Sequence, residues 1–214
     1  MTMTAEEHKK RNNRSYKLLL LFAMISMTMM FAGLTSAYVV SKSRTDWLKN
    51  FEMPMAFNLS LITIIICSLT FHLAKKAIQK DKRQTTTLYL LLTLVFGSLF
   101  VFLQFEGFNQ LYQKGLVPVG GSGAITISFL YVVVFAHLLH LAGGIISLLI
   151  IIYNHFKQKY NASQFLGIEL GAMYWHFLDL LWIYLFLFIL LFYSIFILYY
   201  LFFCSVKNKK IEYS

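Results

Sequence analysis

Residues 125–153 read ITISFLYVVVFAHLLHLAGGIISLLIIIY, a run of 29 residues without Asp, Glu, Lys or Arg. A helix needs about 20 residues to cross the ~30 Å hydrocarbon core of a bilayer, and this run exceeds that length. Its segment Leu148–Ile152 shows no alternation of apolar and polar side chains, which excludes a strand of a transmembrane barrel. The run therefore predicts a membrane-spanning helix.

Four further runs of similar composition reach spanning length. The only two prolines, Pro54 and Pro118, lie outside all of the runs, so each run can form an unbroken helix. The sequence thus predicts an all-α integral membrane protein, a bundle of five transmembrane helices at about 17–40, 56–74, 87–105, 125–153 and 170–194.

The composition excludes several other classes of protein. Apolar residues make up 58% of the 214 residues and charged residues 13%, against roughly 45–50% and ~25% in soluble domains. The formal net charge of +10 arises from Lys and Arg between the apolar runs, as in membrane proteins, so no nucleic-acid partner is expected. Cys67 and Cys204 are the only cysteines, and they predict no disulfide framework.

The distribution of Lys and Arg predicts the orientation. Basic residues are in excess on the side of the N-terminal segment 1–16, which places that segment in the cytoplasm and the C-terminus outside. The first run is longer than the ~7–15 residues of a signal-peptide core, which favours a retained span. We expect one transmembrane domain over 17–203 and a polar tail over 204–214, with 195–203 as an extended or interfacial end.

Ionisable residues at the depth of the spans are concentrated in the last two runs. His137 and His140 are three residues apart and share a helix face, with Gly144 one turn further on. Glu169, His176 and Asp179 form a stripe on the fifth helix. Because the two helices follow one another in the chain, we expect these two stripes to face each other.

Three interpretations of this cluster remain open. Histidines with nearby carboxylates are typical of metal sites, and chained Asp, Glu and His relay protons in membranes. An interhelical hydrogen-bond network, able also to hold a lipid headgroup, is the third interpretation. The sequence favours the network and predicts neither a metal site nor catalytic residues, since no nucleophile with an adjacent base and no nucleotide motif occurs.

Small residues mark positions where helices can approach closely. These are Gly33 and Ala37 on the first helix and Gly143, Gly144 and Ser147 on the fourth. They predict helix contacts within this chain or with a partner.

Three polar residues lie near the ends of other runs. His72 adjoins Lys75 and Lys76 and is expected at the membrane interface. Gln104 and Glu106 are expected where the third helix ends and meets water.

Several motifs resemble a known family. Residues 167–182, GIELGAMYWHFLDLLW, resemble the last-helix signature of subunit III of the haem-copper oxidases, which carries a Glu, a Tyr-Trp-His-Phe, an Asp and a Trp at these spacings. Residues 135–140, FAHLLH, with Gly144 are similar to the preceding helix of that family. The resemblance extends to residues 31–38, and more weakly to Gln104 and Glu106. It covers about 15–194, in a short form with five helices.

One position departs from the family pattern. In many members a membrane-buried Glu follows a Ser in the opening helix of the shared core, and here Ser26 is followed by Met27. Any role of that carboxylate is therefore absent from this chain.

The resemblance implies an accessory subunit without a cofactor, in a terminal oxidase of aerobic respiration that reduces dioxygen to water and pumps protons. Haems and copper would belong to partner subunits, with subunits I and II, other respiratory-chain proteins and phospholipid as partners, in the inner (plasma) membrane of a bacterium. The residues implied for lipid binding or a polar network are His137, His140, Glu169, Trp175, His176 and Asp179.

Other functions remain open. Within the family, the chain could serve a quinol oxidase or a nitric oxide reductase. Outside it, a stand-alone proton-coupled transporter would use the same buried residues, although the absence of inverted repeats and broken helices disfavours this.

Overall fold

The computed structural model describes residues 5–43, 54–118, 125–162 and 164–212, with side chains described as far as Leu191. Within these ranges the chain forms five α-helices, each long and apolar enough to cross a membrane. They are α1 (Ala5–Val40), α2 (Met55–Gln79), α3 (Arg83–Gln113), α4 (Ile125–Phe156) and α5 (Leu166–Glu212). The predicted all-α bundle of five spanning helices is confirmed, whereas its orientation stays a prediction.

The helices extend beyond the apolar runs. α1 begins at Ala5 and α3 continues to Gln113, because backbone hydrogen bonding propagates through polar residues once a helix has formed. Gln104 is therefore fully buried inside the bundle, and the expectation that α3 ends in water at this residue was wrong.

α5 is a single helix of 47 residues. Where an extended or interfacial end was expected over 195–203, the helix continues to Glu212 without a break. No Gly or Pro occurs between Leu185 and Phe203, so the segment lacks the residues that would turn it back for a sixth crossing.

α5 is the element that joins the bundle together. It packs against α1, α2 and α4, while α3 lies against α2 and α4. α2 and α3 form a hairpin whose tight turn contains Asp81 with a φ of 54°, a left-handed conformation common just after a helix. The central position of α5 means that its polar residues have three helices as possible neighbours.

Lysines and arginines cluster at one end of the bundle, which we call the basic end. It comprises the turn 80–82, the loop after α4 and the adjoining helix ends, and it contains Lys75, Lys76, Lys80, Lys82, Arg83, Lys157 and Lys159. Arg83 Nη2 donates to the carbonyl of Tyr160 at 3.4 Å, and Thr87 Oγ1 lies 2.9 Å from His155 Nε2. These bonds fasten the end of α4 and the loop after it to the start of α3.

Trp175 of α5 lies at the centre of the bundle, with 1% of its surface exposed. Its Nε1 donates to the carbonyl of Gly144 on α4 at 3.2 Å. Its ring is 6.2 Å from the ring of Phe71 on α2, and a methyl group at Gly97 on α3 would lie 2.9 Å from it. One side chain thus connects four helices.

The predicted small contact residues fall into two groups. A methyl group at Gly144 would lie 3.2 Å from Leu178, so this glycine allows α4 and α5 to approach closely. Ser147 donates to the carbonyl of Gly144 within its own helix. Gly33 and Ala37 are exposed on α1, and no described atom lies within 4 Å of a methyl group built at Gly33.

We predict opposite outcomes for leucine at the two glycines Gly144 and Gly33. Gly144→Leu should destabilise the chain by about 1–3 kcal/mol, because an inserted side chain overpacks the contact with α5. Gly33→Leu, the matched control on an open helix face, should change stability little. Thermal unfolding of the purified chain in mild detergent, followed by tryptophan fluorescence, measures both. Equal losses in the two variants would contradict the packing described here.

Candidate functional site

Glu169, in the first turn of α5, forms an ion pair with α1. Its Oε2 lies 2.7 Å from Lys17 Nζ, and both side chains are partly exposed. The negative charge lies near the N-terminus of α5, where the helix dipole also favours it. The pair therefore joins α1 to α5 at the basic end of the bundle.

A polar cleft of about 280 Å³ opens beside this ion pair. Three lysines, from α1 and from the loop after α4, line it together with the beginning of α5: Lys9, Lys17, Lys159, Tyr160, Gln164, Leu166, Gly167 and Glu169. Lysine side chains and the N-terminal end of a helix both attract anions. Lys17 is already paired with Glu169, so Lys9 and Lys159 are the cations that make the cleft suited to a negatively charged group.

An apolar cleft of about 430 Å³ adjoins the polar one. It lies between α1, α4 and α5, and its lining includes Leu20, Met27, Gly143, Ile150, Ile151, Leu170 and Tyr174. Tyr160 and Gly167 line both clefts. Together the two clefts place a positively charged pocket beside an apolar groove. A phospholipid has the matching order, a charged headgroup followed by an acyl chain.

Tyr160 forms the wall that the two clefts share. Its ring packs against Gly167, where a methyl group would collide with the phenol. Burial raises the pKa of the Tyr160 hydroxyl, and a hydrogen bond with Asn154 acts in the opposite direction. The phenol stays neutral near pH 7 and is able to donate a hydrogen bond.

The other two polar residues of α5 face α2, not α4. His176 Nδ1 lies 2.7 Å from Ser68 Oγ, and its ring is 6.0 Å from that of His72. Asp179 is 2% exposed and lies beside Cys67 and Ser68. The expectation that Glu169, His176 and Asp179 pair with His137 and His140 was wrong.

His137 and His140 lie on the opposite side of α5. His137 is fully buried, with its ring 5.1 Å from Trp182 and 6.0 Å from Phe100. His140 Nδ1 donates to the carbonyl of Ala136 in its own helix at 2.7 Å. His137 is therefore enclosed by aromatic rings, away from the surface where a lipid would bind.

Backbone carbonyls, not carboxylates, hold α5 to α4. Tyr174 donates its hydroxyl to the carbonyl of His140 at 2.9 Å, and Trp175 donates to the carbonyl of Gly144. Successive residues of a helix are rotated by about 100° from one another. Trp175 faces α4, and the next residue along the helix, His176, therefore faces α2.

The described ranges hold no group of three or more His, Cys, Asp or Glu side chains placed to bind a metal ion. Ser68 and Tyr160 were not singled out from the sequence, because single Ser and Tyr residues carry no spacing signal. Tyr174 belongs to the last-helix motif, but its bond to the His140 carbonyl was not predicted.

The fold defines a polytopic helical membrane protein with two adjoining clefts at one end. The chain belongs to the cytochrome c oxidase subunit III family, whose model matches residues 2–195. This agrees with the resemblance that the last-helix motif indicated.

The relatives that are similar to this chain include a subunit of a cytochrome c oxidase and subunits of quinol oxidases. Cytochrome c oxidase subunit 3 of Thermostichus vulcanus is 28% identical over 86% of this chain and 91% of its own length. Cytochrome bo(3) ubiquinol oxidase subunit 3 of Buchnera aphidicola is 28% identical over 85% and 95%. A probable quinol oxidase subunit 3 of Staphylococcus haemolyticus is 29% identical over 64% and 66%.

Tyr174→Phe should weaken the contact between α4 and α5. The loss of its bond to the His140 carbonyl is expected to cost about 0.6 kcal/mol, and at most ~2, as for other interhelical hydrogen bonds in membranes. The control is Tyr153→Phe, which removes an exposed hydroxyl from α4. Thermal unfolding in detergent measures both variants, and a Tyr174→Phe variant as stable as the control would contradict the assignment.

Proposed function

We propose that this chain is the non-catalytic subunit III of a proton-pumping terminal oxidase that reduces dioxygen to water with electrons from cytochrome c. In this role it braces the catalytic subunit and holds phospholipid against it. It carries no haem or copper of its own, since those groups belong to the partner subunits I and II. The proposed location is the inner (plasma) membrane of a bacterium.

The observation that carries the lipid-holding role is the pair of adjoining clefts. Lys9, Lys17 and Lys159 line the polar cleft, and a lysine near an anionic lipid surface contributes about 1 kcal/mol. The apolar cleft runs on from Tyr160 and Gly167 between α1, α4 and α5. An anionic phospholipid fits this order of polar and apolar walls, with its phosphate at the basic end.

The exposed face of α1 supports a bracing role. Gly33 and Ala37 lie on this face, and no described part of the chain covers Gly33. Small residues allow the backbones of neighbouring helices to approach closely in a membrane. We assign this face to the contact with the catalytic subunit.

A quinol oxidase is the second candidate for the complex. Two of the relatives described above bear the names of quinol oxidase subunits, and their identity to this chain is 28–29%. That value equals or slightly exceeds the 28% of the cytochrome c oxidase relative. The electron donor therefore has to be identified from the partner subunits.

We expect the chain to purify together with haem. A tag on this chain, mild detergent and a reduced-minus-oxidised absorbance spectrum should show haem bands in the intact complex. Oxygen consumption with cytochrome c, compared with that on a quinol, then separates the two candidates. A preparation that contains the other oxidase subunits but consumes oxygen only with quinol would refute the cytochrome c assignment. A haem-free preparation without partners would overturn the proposed role itself.

We also predict that the cleft lysines retain anionic phospholipid. The double variant Lys9→Met with Lys159→Met should lose most of the phospholipid that copurifies with the complex, because each lysine contributes about 1 kcal/mol. The matched control, Lys76→Met with Lys80→Met, removes the same charge at the same end of the bundle outside the cleft. Mass spectrometry of extracted lipid measures the difference. Equal lipid loss in both double variants would show that charge alone matters and that the cleft is not a binding site.

A further inference from the structure

Three buried polar side chains lie between α3, α4 and α5, away from both clefts. Gln104 of α3 and His137 of α4 have no exposed surface, and Trp182 of α5 is 3% exposed. Within the described ranges, no hydrogen-bond partner is present for either end of the Gln104 carboxamide, for either ring nitrogen of His137 or for Nε1 of Trp182. The hydrogen bonds of the described chain thus leave five polar atoms of this group unpaired.

These three side chains lie at a similar depth in the bundle. We count from the end of each helix that lies at the basic end, with a rise of 1.5 Å per residue. Gln104 is then about 32 Å along α3, His137 about 29 Å along α4 and Trp182 about 24 Å along α5. All three therefore lie in the half of the bundle that is remote from the basic end.

Aromatic rings bring the three side chains together. The ring of His137 is 5.1 Å from that of Trp182, and the ring of Phe100 is 5.4 Å from Trp182 and 6.0 Å from His137. Gln104 follows Phe100 by one turn on the buried stripe of α3. Phe57 of α2 packs 6.2 Å from Trp182 and also against α3 one turn beyond Gln104. Gln104, His137 and Trp182 therefore border one enclosure with aromatic walls.

The donors and acceptors of this enclosure match water better than an ion. The indole N–H and the carboxamide NH₂ donate, whereas the carboxamide oxygen and the unprotonated imidazole nitrogen accept. An anion would face the two acceptors, and a metal ion would face the N–H donors. Water donates two hydrogen bonds and accepts two, and a buried water typically makes about three bonds to polar groups that otherwise lack partners.

We propose that Gln104, His137 and Trp182 form a binding site for buried water. Water held there joins α3, α4 and α5 by hydrogen bonds in the half of the bundle that the two clefts do not reach. This inference goes beyond the proposed function and does not depend on it. It requires only the packing of these three helices.

An experimental density map of the assembled complex, at a resolution that shows ordered water, tests the site directly. We expect density for water within about 3.2 Å of a polar atom of Gln104 and of a second polar atom on His137 or Trp182. A map in which the three side chains are ordered but bond only to one another, or face no water, would overturn the proposal. This test needs no variant.

The direction of the stability change in Gln104→Met provides a second test. Methionine is similar in length to glutamine but has no carboxamide, so in a hydrated site the water loses a partner and the remaining polar atoms are left poorly paired. The ratio of unfolded to folded chain in detergent should rise about tenfold, which corresponds to ~1.4 kcal/mol. In a dry site the same change would remove two unpaired polar atoms and stabilise the chain, and an unchanged or lower ratio would therefore contradict the water site.

The matched control for this measurement is Gln113→Met. It makes the same chemical change at the exposed end of the same helix, and it should unfold like the wild type. A control that loses as much stability as Gln104→Met would show that the loss does not come from the enclosure, and the proposal would fail.

The combination of Gln104→Met with His137→Phe tests whether the two side chains hold the same water. If they do, the second substitution costs less once the first has removed the water, and the double variant loses less stability than the sum of the single losses. Additive losses would overturn the shared site. None of these measurements uses an electron donor or oxygen, so failure of this proposal and failure of the oxidase assignment are distinguishable.

Discussion

The indole of Trp175 lies where α2, α3, α4 and α5 meet, and the remaining packing depends on its position. Its ring fits against Gly97, and its N–H donates to the Gly144 carbonyl. Apolar surface gains little from helix association within lipid, so close packing and interhelical hydrogen bonds fix the arrangement. Because Trp175 points at α3 and α4, the rotation of about 100° per residue directs His176 to α2. The setting of one ring thus decides which helix receives His176.

The five spans could be predicted because length and hydropathy are local properties of each run. The rotation of α5 could not be predicted in the same way. This helix is apolar on most sides and packs against α1, α2 and α4, so its sequence does not reveal which face meets which neighbour. The polar stripe of Glu169, His176 and Asp179 was read as a partner for α4. Its contacts with Lys17 and Ser68 depend on residues more than a hundred positions away in the chain.

The candidate site was predictable only in part for the same reason. Glu169 is conspicuous as a carboxylate in an apolar run, but the cleft beside it requires Lys9 from α1 and Tyr160 from the loop after α4. Glycines present a similar problem, since Gly144 is buried against α5 while Gly33 is exposed. A small residue permits close approach of another helix, but the sequence does not state whether that helix belongs to the same chain.

The position of Met27 gives a physical account of its departure from the family pattern. Met27 lines the apolar cleft, whose lining contains no charged side chain, so a carboxylate there would lack a basic partner within the cleft. A thioether is flexible and apolar, and it can follow the shape of an acyl chain. His176 lies instead on the side of α5 that faces α2, where Ser68 and His72 are its neighbours. α5 therefore separates two environments, an apolar cleft towards α1 and α4 and a groove towards α2 that contains His176 and Ser68, and the absence of a carboxylate from the first leaves the second intact.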